Sequence, residues 1–292
     1  MAGLLSGLEA FGLKGLDKVD DIYDKAKKEE EAKRAEEIRK DPVLAEQELL
    51  FEKSYTCPIC DTEFKSRTVK IGKAKLLGTD LDLRPKYESV DMLKYDIILC
   101  PHCGYAALSR YFKFLTAPQA KLIKENISAS FKPMKEQGII YSYEEALARY
   151  KLTLANAIVK RAKASEKAYI CLKTAWLLRG QGESLKEEDA DYSKKKAEID
   201  KEEDEFLRNA LEGFLSARQA ESFPMCGMDE VTVDYLISVI AMRFEQFDIS
   251  SRLISSILVS HTASPRMKDK ARDIKEMLVK QIKENQAKKG KA

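Results

Sequence analysis

The chain has 292 residues, of which 44% are hydrophobic and 34% charged, and its 51 basic and 48 acidic side chains leave a formal charge of only +3. That length suits about two domains, and so even a balance excludes a partner chosen by bulk charge alone. No apolar run approaches the roughly eighteen residues of a membrane span, and the N-terminus lacks the basic-then-apolar order of a signal peptide, so a cytoplasmic protein is expected.

Leu4, Leu5, Leu8, Phe11, Leu16, Val19, Ile22 and Tyr23 recur at spacings near three and four, which predicts an amphipathic helix. Gly3, Gly7, Gly12 and Gly15 weaken it, because an interior glycine costs about 1 kcal/mol relative to alanine. Such a helix packs on its own domain, the reading taken here, or it binds a partner or makes peripheral contact with a membrane. Asp24 to Lys40 holds seven basic and six acidic residues and reads as a solvated helix or linker, which Asp41-Pro42 interrupts. Residues 1–45 are therefore expected to form an amphipathic helix and charged linker.

From Phe51 the composition changes. Cys57-Pro58-Ile59-Cys60 and Cys100-Pro101-His102-Cys103-Gly104 hold four of the six cysteines, with 39 residues between the corners. A two-residue spacer on a tight turn lets both sulfurs of a corner reach one ion at roughly 2.3 Å, so Cys57, Cys60, Cys100 and Cys103 point to a closed four-cysteine metal site. In a reducing compartment such pairs serve metals more often than disulfides. Pro58 and Pro101 preset the entry to each turn, and Gly104 permits a left-handed residue after the second. Asp61 stands at the equivalent place in the first corner and accepts that conformation less readily.

Between the corners, Phe64 to Ile71, Leu81 to Tyr87 and Tyr95 to Leu99 carry aromatic and branched residues divided by Gly72 and by Gly78-Thr79-Asp80, which predicts strands. A small antiparallel sheet below two metal-binding turns is a zinc-ribbon-like module, expected over residues 46–110. Its core is too small to be stable alone, whereas structural zinc contributes an apparent ~10–16 kcal/mol to folding, so the ion is expected to make this region fold.

After Gly104 the pattern becomes helical. Ala106 to Phe114 reads as a short helix, Thr116 and Pro118 open another that Lys132-Pro133 ends, and Ser142 with Glu145 forms a capping box for a helix through Tyr150 and Ile158. Lys167 to Arg179 is the next helix, with Gly180 and Gly182 as its stop. Glu183 to Glu205 has eleven acidic and five basic residues and reads as an exposed insertion or helix extension. Phe206 to Gln219, Val231 to Phe244, Ile249 to Ser260 and Met267 to Ile282 continue as apolar-periodic helices, the last opened by Ser264-Pro265. The helical region is expected over residues 111–285, with its acidic insertion at 183–205 and a flexible tail at 286–292.

Ala210, Phe214 and Ala217 have the spacing of a tetratricopeptide second helix, in which small residues admit the paired helix and the aromatic fills the gap. Ala146 and Tyr150 echo it, and Phe247, Ser250, Ile254 and Ile257 do so more faintly; Glu245 stands where an inter-helix glycine is usual. The expected fold is mainly α with a small β metal-binding module: a zinc-ribbon-like N-terminal region followed by tetratricopeptide-like helical hairpins.

Ser54-Tyr55-Thr56-Cys57-Pro58, Gly72-Lys73-Ala74-Lys75-Leu76, Gly78-Thr79-Asp80-Leu81-Asp82-Leu83-Arg84-Pro85 and Cys100-Pro101-His102-Cys103-Gly104-Tyr105-Ala106-Ala107 occur in that order. The series resembles the bacterial domain-of-unknown-function family 2225 over nearly the whole chain after residue 50. The resemblance implies a Cys-rich ribbon ahead of tetratricopeptide-like helices and carries the four cysteines over as ligands. It implies no catalytic role.

A closed four-thiolate zinc site has no open coordination position with which to activate water or polarise a substrate. No Gly-rich phosphate loop, Gly-x-Ser-x-Gly elbow or His-Glu-x-x-His segment is present, so an enzyme is not expected. His102 is read as a surface residue rather than a ligand, and His261 as a capping residue near a helix end. Cys171 and Trp176 are read as core residues and Cys226 as an ordinary loop thiol.

The expected function is a noncatalytic, zinc-stabilised adaptor or scaffold that binds a protein or peptide partner through its helical hairpins. Nucleic-acid binding is the alternative, through Lys65, Arg67, Lys70, Lys73 and Lys75 with Phe64 and Tyr87 for stacking. Asp80, Asp82, Glu88 and Asp91 oppose a phosphate track if they share that face. A further alternative is a rubredoxin-like redox protein holding iron instead of zinc, since paired Cys-x-x-Cys corners also suit that metal.

Overall fold

Both cysteine corners are the tips of antiparallel hairpins. In the computed structural model β1 (Leu50–Thr56) pairs with β2 (Glu63–Val69), from Leu50 opposite Val69 to Thr56 opposite Glu63. A second hairpin joins β3 (Leu76–Thr79) to β4 (Pro85–Tyr87), and a third joins β5 (Ile97–Leu99) to β6 (Ala106–Leu108). They remain three separate two-stranded sheets rather than one small sheet. Strands of three or four residues in the second and third pairs offer too short an edge to recruit a neighbour, so side chains and the cysteine corners join them.

The structure describes residues 8–12, 41–133 and 138–289, and the chain divides into two compact units, Met1–Glu48 and Leu49–Ala292. In the first unit the described parts are a 3-10 turn, Leu8–Phe11, and helix α1 (Pro42–Glu48), opened by Asp41, whose carboxylate accepts the Val43 amide at 2.8 Å. The amphipathic helix expected over Leu4 to Tyr23 and the charged stretch Asp24 to Lys40 lie outside the described residues, that turn and Gly12 excepted.

In the second unit the hairpins are followed by α2 (Ala117–Ile123, continued by a π-helical turn, Lys124–Ser128), α3 (Tyr143–Val159), α4 (Ala164–Ser184), α5 (Tyr192–Ala220), α6 (Glu230–Arg243), α7 (Phe247–Val259) and α8 (Pro265–Lys289). The expected cap at Ser142 is present, its hydroxyl accepting the Glu145 amide at 3.1 Å. A hydrogen bond and three ion pairs fix the direction of the longer helices. Ser165 at the start of α4 meets Glu221 just past the end of α5 at 2.5 Å, while Arg179 near the end of α4 meets Glu203 in the first half of α5 at 2.9 Å. Likewise Arg218 near the end of α5 meets Asp234 on α6 at 2.6 Å, and Arg243 at the end of α6 meets Asp204 at 2.9 Å. Helices α4, α5 and α6 therefore run alternately up and down.

Ala210, Phe214 and Ala217 are all fully buried in the main core, where Gly213 also brings α5 against Ala168 of α4. The same core takes in Leu99, Ala106 and Leu108 of the third hairpin together with Tyr150, Ala175 and Leu236 from the helices. Ribbon and helices thus share apolar contacts, and the second corner is built out from the helical core. A smaller cluster, including Tyr235, Ile254, Ala271 and Ile274, joins α6, α7 and α8.

Several boundaries differ from the sequence expectation. Ala106 to Phe114 opens as a strand, not a helix, because Ala106 pairs with Leu99 to close the hairpin around the second corner. Only Pro85–Tyr87 of the segment Leu81 to Tyr87 is extended; Asp80 to Arg84 forms a turn in which the Leu83 amide donates to the Asp80 carbonyl at 3.0 Å. The acidic stretch supplies the first turns of the 29-residue α5 and is a helix extension. Helix α8 continues to Lys289, through part of the expected tail, since Lys, Gln, Glu and Ala there favour helix and no breaker precedes Gly290.

Gly180 and Gly182 lie inside α4 and do not end it. A methyl group at Gly180 would sit 2.6 Å from the Asp91 carboxylate and 3.1 Å from the Tyr143 hydroxyl, so glycine there serves close approach. Replacing an interior helical glycine by alanine ordinarily stabilises by about 1 kcal/mol. Gly180→Ala is instead expected to lower unfolding stability by about 1–3 kcal/mol through overpacking. Urea denaturation measures it, and a stabilised variant would show that Asp91 moves aside without cost.

Candidate metal centre

The two corners repeat one backbone design. The Asp61 amide donates to the Cys57 carbonyl at 2.9 Å, and the Gly104 amide donates to the Cys100 carbonyl at 3.1 Å. Both following residues are left-handed, Asp61 at φ 57° and Gly104 at φ 72°. Asp61 thus takes the conformation for which glycine was expected, at a cost of about 1 kcal/mol. Gly104 has a second reason to lack a side chain, because a methyl group there would lie 2.4 Å from the Phe131 ring. Asn156 on α3 donates to the Gly104 carbonyl at 3.1 Å, fastening this corner to the helices.

The hairpins bring all four sulfurs within 4.8 Å of one another, with Cys57 Sγ 3.5 Å from Cys103 Sγ and Cys60 Sγ 3.6 Å from Cys100 Sγ. A tetrahedron of thiolates about 2.3 Å from a central ion has sulfur–sulfur edges of roughly 3.8 Å. A disulfide would need about 2.05 Å. The set therefore fits a metal ion, and each corner contributes one sulfur to each of the two close pairs. Beneath it lie Tyr55, Phe64, Tyr105 and Phe112, with the Tyr105 hydroxyl donating to the Phe112 carbonyl at 3.0 Å. This aromatic floor keeps water from three of the sulfurs; Cys57, Cys100 and Cys103 are buried and Cys60 is half-buried.

Thiols packed this closely share their protons. Hydrogen bonds from Cys103 and Cys57 hold Cys100 far below the ordinary thiol range, at about 2, while the bond to Cys100 and burial push Cys57 up to about 12. Cys103 is raised as well, first by its bond to Cys100. An incoming cation displaces these protons, so affinity falls in acid. His102 is exposed beside the corner, and His261 is exposed beyond the end of α7.

The basic residues between the corners are dispersed. Lys65 and Arg67 share one face of β2, but Lys65 pairs with Glu52 at 3.3 Å and Arg67 lies 4.6 Å over the Tyr141 ring. Lys70, Lys73 and Lys75 occupy the connection to β3, where Lys75 pairs with Glu88 at 3.4 Å. Phe64, considered above for base stacking, is buried in the aromatic floor, and Tyr87 is half-buried. Cys171 is buried, and burial pushes its thiol up to about 11.

Asp80 and Asp82 have a role that their surface-like sequence context hides. Arg179 grips Asp82 with two parallel bonds of 2.9 and 2.7 Å, and its third nitrogen reaches Glu203 at 2.9 Å. The Trp176 indole N–H also donates to Asp82, at 2.9 Å, so this tryptophan is more than a packing residue. Arg84 bonds Asp80 and Glu183, each at 2.6 Å, and Tyr235 on α6 donates to the Leu81 carbonyl at 3.0 Å. The turn between β3 and β4 is thereby strapped across α4, α5 and α6. Burial pulls the Asp80 carboxyl upward, but hydrogen bonds from Lys86 and Arg84 hold it below its usual range. Three residues buried here, Asp82, Arg84 and Glu203, are charged; the alternation of charged residues with leucine in Asp80-Leu81-Asp82-Leu83-Arg84 is a sequence signal for the first two, and Glu203 has none in its acidic surroundings.

Among the described residues no helix is long and apolar enough to cross a membrane. No curated protein and no solved structure matches the chain significantly. A family model described as an uncharacterized protein conserved in bacteria, DUF2225, matches residues 50–278, a span that takes in both cysteine corners, the strapped turn and the helices into α8. By that match over more than half of its length, the chain belongs to the bacterial family DUF2225.

Proposed function

We propose that the protein is a noncatalytic adaptor in which one zinc ion, held by Cys57, Cys60, Cys100 and Cys103, fixes the paired hairpins against stacked helices that present a surface to a protein or peptide partner. The observation that carries this reading is the four-sulfur set: four thiolates fill a tetrahedral ion and leave no position for substrate. The antiparallel stack of α4, α5 and α6, with its Ala210, Phe214 and Ala217 stripe, supports a tetratricopeptide-like way of building a binding surface. A reducing cytoplasm suits the reading, since it keeps four thiols available to metal.

The purified full chain is expected to carry one zinc per molecule and no visible absorption, whereas ferric thiolate would colour it. Affinity capture from the native cell is expected to recover a protein whose retention depends on exposed residues of α3 to α8. Retention that survives those substitutions but is lost with nuclease, or with Lys65 and Lys73 replaced, would transfer the function to nucleic acid and the ribbon.

A further inference from the structure

A cleft of about 580 Å³ opens where the turn after β6, the α3–α4 junction and the α5–α6 junction meet. Ser165, Met225 and Cys226 lie buried in its floor. Arg110, Arg161 and Lys163 line it and are exposed, and beside them the Phe114 ring is 75% exposed.

The charge in this cleft is unbalanced. Arg110 donates to the Cys226 carbonyl, a neutral acceptor. Among the described residues neither Arg161 nor Lys163 has an acid within ion-pair distance. Of the two acids present, Glu166 pairs with Lys160 at 2.6 Å, and Glu221 accepts the Ser165 amide at 3.1 Å and its hydroxyl at 2.5 Å. Three cations therefore face the opening against one carboxylate that no cation pairs with among the described residues, Glu221, and the cleft keeps a positive excess.

Arg161 is also held at φ 54°, left-handed, where it closes α3 just after Lys160. Glycine is the residue that ends a helix this way without strain, so the arginine maintains a cation at a conformational cost. An open cleft with an exposed aromatic beside it suits an extended chain better than an enclosed small anion.

We propose that this cleft binds an acidic peptide segment of a protein partner, its carboxylates on Arg161, Lys163 and Arg110 and an apolar side chain against Phe114. The assignment rests on the adaptor reading and gives the chemistry of its partner. The test is selection of a random phage-displayed peptide library on the immobilised, metal-loaded full chain. Peptides combining Asp or Glu with an aromatic or leucine are expected to enrich. The best of them, made synthetically, is expected to bind a chain carrying Arg161→Gly with Lys163→Gln at least about tenfold more weakly, and to weaken as salt rises. Arg252→Gln, which removes an exposed cation of α7 outside the cleft, should leave binding unchanged. Because glycine relieves the left-handed position, Arg161→Gly is expected to melt no earlier than the parent, which separates lost binding from lost fold. Enriched peptides without acids, bound equally by the doubly substituted chain, would overturn the cleft and leave the adaptor reading standing. Equal displacement of the acidic peptide by inorganic phosphate would reassign the cleft to small anions. A selection that enriches nothing would overturn the cleft as a peptide site, and the adaptor reading would then stand or fall on the affinity capture.

Discussion

Cys57→Ser is expected to abolish metal binding and to unravel residues 50–69 while the helices and the third hairpin stay folded. Three thiolates and a hydroxyl leave the ion an incomplete soft-ligand set, and structural zinc contributes an apparent ~10–16 kcal/mol where a domain folds only with its metal. The loss here should be smaller and unevenly placed. Leu99, Ala106 and Leu108 anchor the third hairpin in the helical core, and Asn156 holds its corner from α3. The first hairpin has less to hold it: β1 is mostly exposed, and Tyr55 and Phe64 are its main ties to the aromatic floor. Metal content by atomic emission should fall from one ion to none. Hydrogen exchange should show protection lost between Leu50 and Val69 and kept from Ile97 to Leu108, with helical circular dichroism nearly unchanged. Equal loss of protection in both hairpins and the helices would mean that the ion organises the whole second unit; retention of the ion would show that three sulfurs suffice.

This unevenness was only partly legible in the sequence. The four ligands follow from Cys-x-x-Cys spacing because the chemistry is local: a tight turn places two sulfurs, and only two such turns exist. The helices were legible for a similar reason, since Ser142 with Glu145 and Ser264-Pro265 mark starts within a few residues. What local patterns do not carry is how distant segments meet. Ala106-Ala107-Leu108 has helical composition, yet its pairing with Ile97-Ile98-Leu99 across the corner decides for strand. Gly180 looks like a stop until Asp91, 89 positions earlier, is found against it. Asp82 and Arg179 lie 97 residues apart, and nothing in either neighbourhood announces the other.

That pair gives the second large effect. Arg179→Met is expected to destabilise the protein by about 3–5 kcal/mol, the range for removing one partner of a buried ion pair and leaving the other charge uncompensated. Two acids are stranded at once, since the side chains of Asp82 and Glu203 are only 6% and 3% exposed and Arg179 bonds both. Arg243 still reaches Glu203 at 2.9 Å, so Asp82 should bear most of the penalty. Arg179→Lys should recover little, because a single ammonium cannot reproduce the two parallel bonds to Asp82. The pH dependence has a definite sign. In the parent, Asp80 and Glu183 are held low, so their contribution is present above the ordinary carboxylate range and is lost as pH falls through their depressed values. Arg179 also donates to Asp80 at 3.2 Å and helps to hold its carboxyl low, so the variant lacks part of that contribution and its deficit is largest above the ordinary carboxylate range. Parent and variant should therefore converge in acid. Adding Asp82→Asn to Arg179→Met should restore part of the stability, with a coupling above about 1 kcal/mol in urea denaturation. If the two changes simply add, or the gap does not narrow in acid, the strap is a surface ornament of the fold and the turn between β3 and β4 must be held by Leu83 and the Tyr235 hydroxyl instead.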